Sequence, residues 1–180
     1  MERNLEPAEL RKTLEKLLAL STMTLATSST EGGAHAADVY FACDEQLSLY
    51  FFSDPESQHS SDIQRDARAA VTIHADRKGW EQILGVQMRG HCEAISTSGV
   101  WEQAWEVYLA KFPFVSNLEE VIKVNQLYGF SPDWIRLVDN SQGFGFKQEW
   151  IFMEIAIEGA VVRRWEQLGG RGDVRGQAHG

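Results

Sequence analysis

At Thr22 the chain changes its hydrophobic period, and that change constrains the fold more than any other feature. Before it, Leu10, Leu14, Leu17 and Leu18 recur at helical spacing behind Pro7, which predicts a helix over residues 7–20. After it come short alternating or β-rich runs at Met23 to Thr27, His35 to Cys43, Leu47 to Phe52, Ala70 to His74 and Gly85 to Ile95. Glu31-Gly32-Gly33, Asp44-Glu45-Gln46 and Asp76 to Gly79 separate them. Short strands punctuated by Gly and Asp turns predict an antiparallel barrel or sandwich rather than a parallel sheet.

Helices interrupt this pattern. One is expected from Ser57 to Arg68, another from Ser98 to Phe112 with Ser98 as its N-cap, and a third from Asn117 to Tyr128 with Gly129 just past its end. Trp134 to Val138 and Glu149 to Ile157 read as further strands, extended through Val161 to Trp165. Residues 1–168 are expected to form one domain. The stretch 169–180, rich in Gly and poor in apolar residues, is expected to be a flexible tail. Its Arg171-Gly172-Asp173 is too short a motif to argue for adhesion.

Charge excludes some partners. Seventeen Lys plus Arg stand against 26 Asp plus Glu, a net of −9, with no run of cations to grip a phosphate backbone. Nucleic acid is therefore not an expected partner. The first ten residues carry three Glu and no apolar core, and no window approaches a membrane span, so a cytoplasmic protein without membrane contact is expected. Cys43 and Cys92 lie far apart in strand-like runs and read as buried hydrophobes rather than a disulfide or zinc site. No metal site is expected, because in a hairpin closing near Trp80, His74 would fall opposite Val86 and His91 opposite Ala69.

Three stretches could carry chemistry. Ser53 to Asp62 joins a strand end to a helix start and brings Ser53, Ser57, Ser60 and His59 together. Free N–H groups at a helix N-terminus with hydroxyls and an imidazole can cradle a phosphate. Equally, Ser57 or Ser60 can cap the helix while His59 faces solvent. In Val86 to Glu93, one face carries Val86, Met88, Gly90 and Cys92, the other Gln87, Arg89, His91 and Glu93. The second face is either a solvated surface or, lining a cleft, a set of donors to a planar heterocycle. Trp101, Trp105, Tyr108 and Phe112 form a helical aromatic stripe, suited to core or subunit packing or to a ligand wall.

The order of these elements, with Glu56-Ser57-Gln58-His59, Gly85 to Gly90, Lys111-Phe112-Pro113 and Asp139 to Lys147, resembles the flavin-binding split-barrel superfamily that includes pyridoxamine 5'-phosphate oxidase, and within it the YhbP-like branch. The resemblance runs from about Ser21 to Trp150. It implies a mainly β, α+β chain: a six-stranded antiparallel split barrel with flanking helices, paired as a homodimer with FMN in clefts between subunits. It also implies that Ser53, Ser57, Gln58 and His59 lie at the phosphate and that the backbone of Val39, Tyr40 and Phe41 runs along the ring, near Phe52. Gln87 would meet the ring's polar edge and Arg89 its reduced charge, with Phe144, Phe146 and Lys147 closing the cleft from the partner.

Ala37 and Ala42 stand where the family carries Arg and Lys, and Gln58 where it carries another Arg. The family's carboxy-terminal Arg region has no counterpart here, so oxidation of pyridoxamine phosphate is not expected. The resemblance thus implies an FMN-dependent oxidoreductase of an unidentified small substrate. Two alternatives stand beside it: haem binding through His59, His74 or His91, and a cofactor-free dimeric binding or structural protein.

Overall fold

The computed structural model describes residues 7–29, 33–157 and 160–168. Four α-helices appear there: α1 (Pro7–Leu18), α2 (Gln58–Arg65), α3 (Ser98–Lys111) and α4 (Glu119–Val124). The strands are β1 (Thr22–Ser28), β2 (Ala34–Tyr40), β3 (Ala42–Cys43), β4 (Leu49–Ser53), β5 (Arg68–His74), β6 (Leu84–Ala94), β7 (Gln126–Asp139), β8 (Lys147–Ile157) and β9 (Ala160–Leu168).

All nine belong to one antiparallel sheet, in the order β2-β1-β5-β6-β7-β4-β3, with β8 joined to β7 and β9 to β8. The two ends of that order, β2 and β3, are separated in sequence by Phe41 alone. The sheet must therefore curl until its ends nearly meet, which makes the split barrel. At the break, the Phe41 N–H donates to the Ser21 carbonyl at 3.1 Å and its ring is fully buried. The resemblance implies a six-stranded barrel, and nine strands are present among the described residues: the His35 to Cys43 run is broken in two, and the β8–β9 ribbon, expected as strands from Glu149 onward, extends one side. β7 supports that extension because its first half pairs with β4 and its second half with β8.

Alternation puts Met23, Leu25, Val71, Ile73, Val86, Met88 and Cys92 inside the barrel, joined by Phe51, Tyr128, Phe130 and Leu137. Burying each large side chain contributes roughly 1.5–3 kcal/mol. Helix α1 adds Leu17 to this core. Its last turn is held by Lys111 of α3, whose ammonium donates to the carbonyls of Leu18 at 2.8 Å and Leu20 at 2.7 Å. The same ammonium lies 3.7 Å from the centre of the Phe41 ring. Burial pushes its pKa down to about 8.

The aromatic stripe of α3 packs inward. Tyr108 and Phe112 are buried beside Ala42, and Phe52 stands edge-on to both Trp105 and Tyr108, at 6.0 and 5.1 Å. The residue before α3 is Thr97, not Ser98, and its side chain makes no capping bond.

The expected helix from Asn117 to Tyr128 is shorter. A 3₁₀ turn (Pro113–Asn117) leads into α4, and the chain is extended from Gln126. Leu127, Tyr128 and Phe130 are pulled into β7 because they pair with β4 and bury on the barrel, a gain that local helix propensity cannot match. Gly129 is thus a strand residue and not a helix stop; a Cβ there would sit 3.2 Å from the Ile95 side chain.

One irregularity in β7 matters for the site. Its register against β6 shifts between Arg89 and Gly90, with Asp133 as the extra residue. Before the bulge Tyr128, Phe130 and Pro132 are buried; after it Ile135 and Leu137 are, so the inward face changes parity. A Cβ on Gly90 would collide with the Ser131 carbonyl oxygen, so only glycine allows this approach. The expected tail, residues 169–180, lies outside the described residues.

Candidate functional site

The bulge turns Trp134 and Arg136 onto the outer face, where they meet Gln87 and Arg89 of β6. Two rows of side chains then cross the sheet in register. One runs Thr24, Thr72, Gln87, Arg136, Glu149; the other runs Ala26, Ala70, Arg89, Trp134, Ile151. From β1 to β7 the rows span about 14 Å, at the usual interstrand spacing. They line a groove of about 560 Å³ whose floor over β1 and β5 is made of small side chains.

Its charges are unevenly paired. Arg136 is tied to Glu149, with Nε donating at 2.9 Å and a second nitrogen 2.8 Å from the same oxygen, and it reaches the Gln87 carbonyl oxygen at 3.4 Å. The Trp134 indole N–H donates to the other Glu149 oxygen at 3.4 Å. Both guanidinium carbons lie over the Trp134 ring, Arg89 at 4.4 Å and Arg136 at 4.8 Å from its centre. Arg89 has no carboxylate partner among the described residues, so the groove keeps an uncompensated positive charge within a chain of net −9. A second cavity of about 410 Å³ shares Thr24 and Thr72 with the groove and is lined by Asp38, His74, Asp76 and Arg77.

The other expected site residues lie elsewhere. Ser53, Ser57, Gln58 and His59 gather where β4 meets α2. His59 is only 8% exposed, so it does not face solvent, and its Nε2 lies 2.6 Å from Ser53 Oγ and 3.1 Å from Ser57 Oγ. Burial pushes its pKa down and the neighbouring His35 ring, stacked at 6.0 Å, adds to the effect. Ser57 is the N-cap, accepting from the Ser60 N–H at 3.4 Å. Asp62 is fully buried; the Thr27 hydroxyl and the Gln58 amide hold its carboxyl below the usual range, each donating at 2.8 Å.

Val39 and Phe41 point into the barrel, Tyr40 is exposed and edge-on to Phe112 at 5.5 Å, and Phe52 is packed on α3. Phe144 is 84% exposed and stands edge-on to Trp80 at 5.5 Å; Phe146 is half-buried, and Lys147 opens β8. Of all these residues the groove gathers Gln87 and Arg89. Trp134, Arg136 and Glu149 were not anticipated there. The i, i+2 alternation of Trp134 and Arg136 is visible in the sequence, but which face they occupy depends on the bulge.

His74 pairs with Gly85 and His91 with Arg68, each one residue from the expected register. Burial pushes the thiols of Cys43 and Cys92 up to about 12, so neither is a poised nucleophile. No described helix is long and apolar enough to cross a membrane.

The UPF0306 protein YhbP of Salmonella paratyphi A is 28% identical over 122 residues, which cover 67% of this chain and 79% of that protein. A haem-binding protein from Mycobacterium smegmatis superposes with a TM-score of 0.65 at 18% identity, over 83% of this chain and 59% of the other. ChuZ from Campylobacter jejuni gives a TM-score of 0.66 at 14% identity, over 88% and 63%. At such identities these solved structures share the fold alone. The family model for pyridoxamine 5'-phosphate oxidase matches residues 8–139, well over half of the sequence, and the chain belongs to that family.

Proposed function

We propose that this chain works as a homodimeric flavoprotein, binding a flavin ring in the groove of Gln87, Arg89 and Arg136 and acting as an oxidoreductase on a small substrate. The observation that carries this is the double row crossing β1, β5, β6 and β7. A fused planar heterocycle with carbonyl oxygens along one edge needs a flat floor and N–H donors at one end. Thr24, Ala26, Ala70 and Thr72 give the floor. The Gln87 amide and the Arg89 guanidinium give the donors. The bound ring would supply hydride or electron transfer. Arg89 would hold negative charge on the reduced ring, and Trp134 would keep that guanidinium in place. The loop of Phe144, Phe146 and Lys147 from a second copy would cover the groove.

The test is the visible spectrum of the purified protein after excess flavin and desalting. A retained flavin band supports the assignment; a colourless protein overturns it.

Haem is a second reading, favoured by two observations. Solved structures of the same fold include the haem-binding protein from Mycobacterium smegmatis and HutZ, a haem storage protein from Vibrio cholerae. In this chain, His74 lines the cavity adjoining the groove. A Soret band on adding haem, lost in His74→Ala, would support it; no band with haem excludes it.

A further inference from the structure

We infer that this chain recognises a flavin by its ring alone and makes no use of the phosphate, so that riboflavin binds as tightly as FMN. The inference rests on the flavin assignment above and deepens it. A phosphate site needs free donors and positive charge turned toward the ligand. The β4–α2 corner, where the family resemblance puts the phosphate, has its serine hydroxyls and the Gln58 amide already engaged.

The hydroxyl and amide side-chain donors each have a partner within the corner. Ser57 Oγ donates to Ser60 Oγ at 2.9 Å, and Ser60 Oγ donates to the Asp54 carbonyl at 2.8 Å. Ser53 Oγ is held 2.6 Å from His59 Nε2. The Gln58 amide is turned to Asp62, and Asp62 also takes the Thr27 hydroxyl. The N–H of Ser60, third into the helix from its cap, is taken by Ser57. An arriving phosphate would have to break this network, and each broken bond offsets what it gains.

Charge points the same way. Asp54 and Glu56 are exposed carboxylates in the turn itself, and Asp62 is buried behind it. Burial and the neighbouring His35 push the His59 pKa down, which disfavours a positive charge there. Of the nearby cations, Arg68 is locked onto Asp66 at 2.6 Å; Arg65 sits in the last turn of α2, at the end opposite the cap. A dianion at this corner meets carboxylates, whereas the unpaired Arg89 lies in the groove that takes the ring.

The test compares riboflavin and FMN as probes, each titrated into the full chain and read by quenching of flavin fluorescence. The expected result is dissociation constants within about threefold of each other, or riboflavin the tighter. One charge-assisted bond to phosphate would favour FMN by about tenfold or more. FMN tighter by more than threefold overturns the inference and leaves the flavin assignment standing. Binding of neither probe overturns the flavin assignment and the inference with it.

Discussion

Arg89 and Trp134 face each other directly across β6 and β7, with the guanidinium carbon 4.4 Å from the centre of the indole ring. A carboxylate partner would fix the arginine and cancel its charge. The ring fixes it, at roughly 0.5–2 kcal/mol, and leaves the charge available. Arg136 shows the contrast, since Glu149 neutralises it at 2.8 Å.

Removing that charge should weaken an anionic or carbonyl-rich ligand and spare the fold. Arg89→Met keeps most of the contact with Trp134 while deleting a charge-assisted donor of about 1.5–3 kcal/mol. Flavin affinity is expected to fall at least tenfold, with circular dichroism and thermal midpoint close to the parent. Unchanged affinity would remove Arg89 from the site.

Lys111 makes stability depend on alkaline pH. Its folded pKa of about 8 lies below its ordinary 10.5, so between these values the unfolded chain binds more protons. Stability contributed by this group therefore rises as pH increases from 8 to 10.5. The full shift would correspond to more, but Lys111 is only partly buried, and screening leaves roughly 1–2 kcal/mol. Lys111→Met should lack the rise. Urea unfolding of both proteins from pH 7 to 10.5 checks it, and parallel profiles would refute the assignment.

Gln148 is a buried amide, 4% exposed, whose oxygen and nitrogen have no hydrogen-bond partner among the described residues. It lies opposite Leu137 in the β7–β8 pairing. An unsatisfied buried amide costs about 1–3 kcal/mol. Replacing it by the similarly shaped Met should stabilise the protein by about 1 kcal/mol or more, measured as a higher urea midpoint at unchanged slope. A lower midpoint would mean that the amide is satisfied in solution.

Much of the barrel was legible because β1, β5 and β6 alternate cleanly and bury one face. The start of α2 was legible for the same local reason, a serine cap at Ser57. Local signals failed where distant pairing decides. Val121, Ile122 and Val124 continue an apolar helical pattern, yet the chain straightens at Gln126 because Leu127 and Phe130 find partners in β4. The site divides in the same way. Gln87 and Arg89 follow from alternation within one strand, whereas Trp134, Arg136 and Glu149 reach them only through a register shift that no single segment announces. His59 fits neither sequence-based option, being neither solvent-facing nor unencumbered.

The bulge at Asp133 makes the groove a matter of counting. Along β7, one backbone residue separates a strand that would point Arg136 into the barrel from one that points it into the groove. The sign of the outer surface there is set by the length of the chain between Phe130 and Trp134 as much as by the residues themselves. Gly90 is the bare partner that lets that length fit.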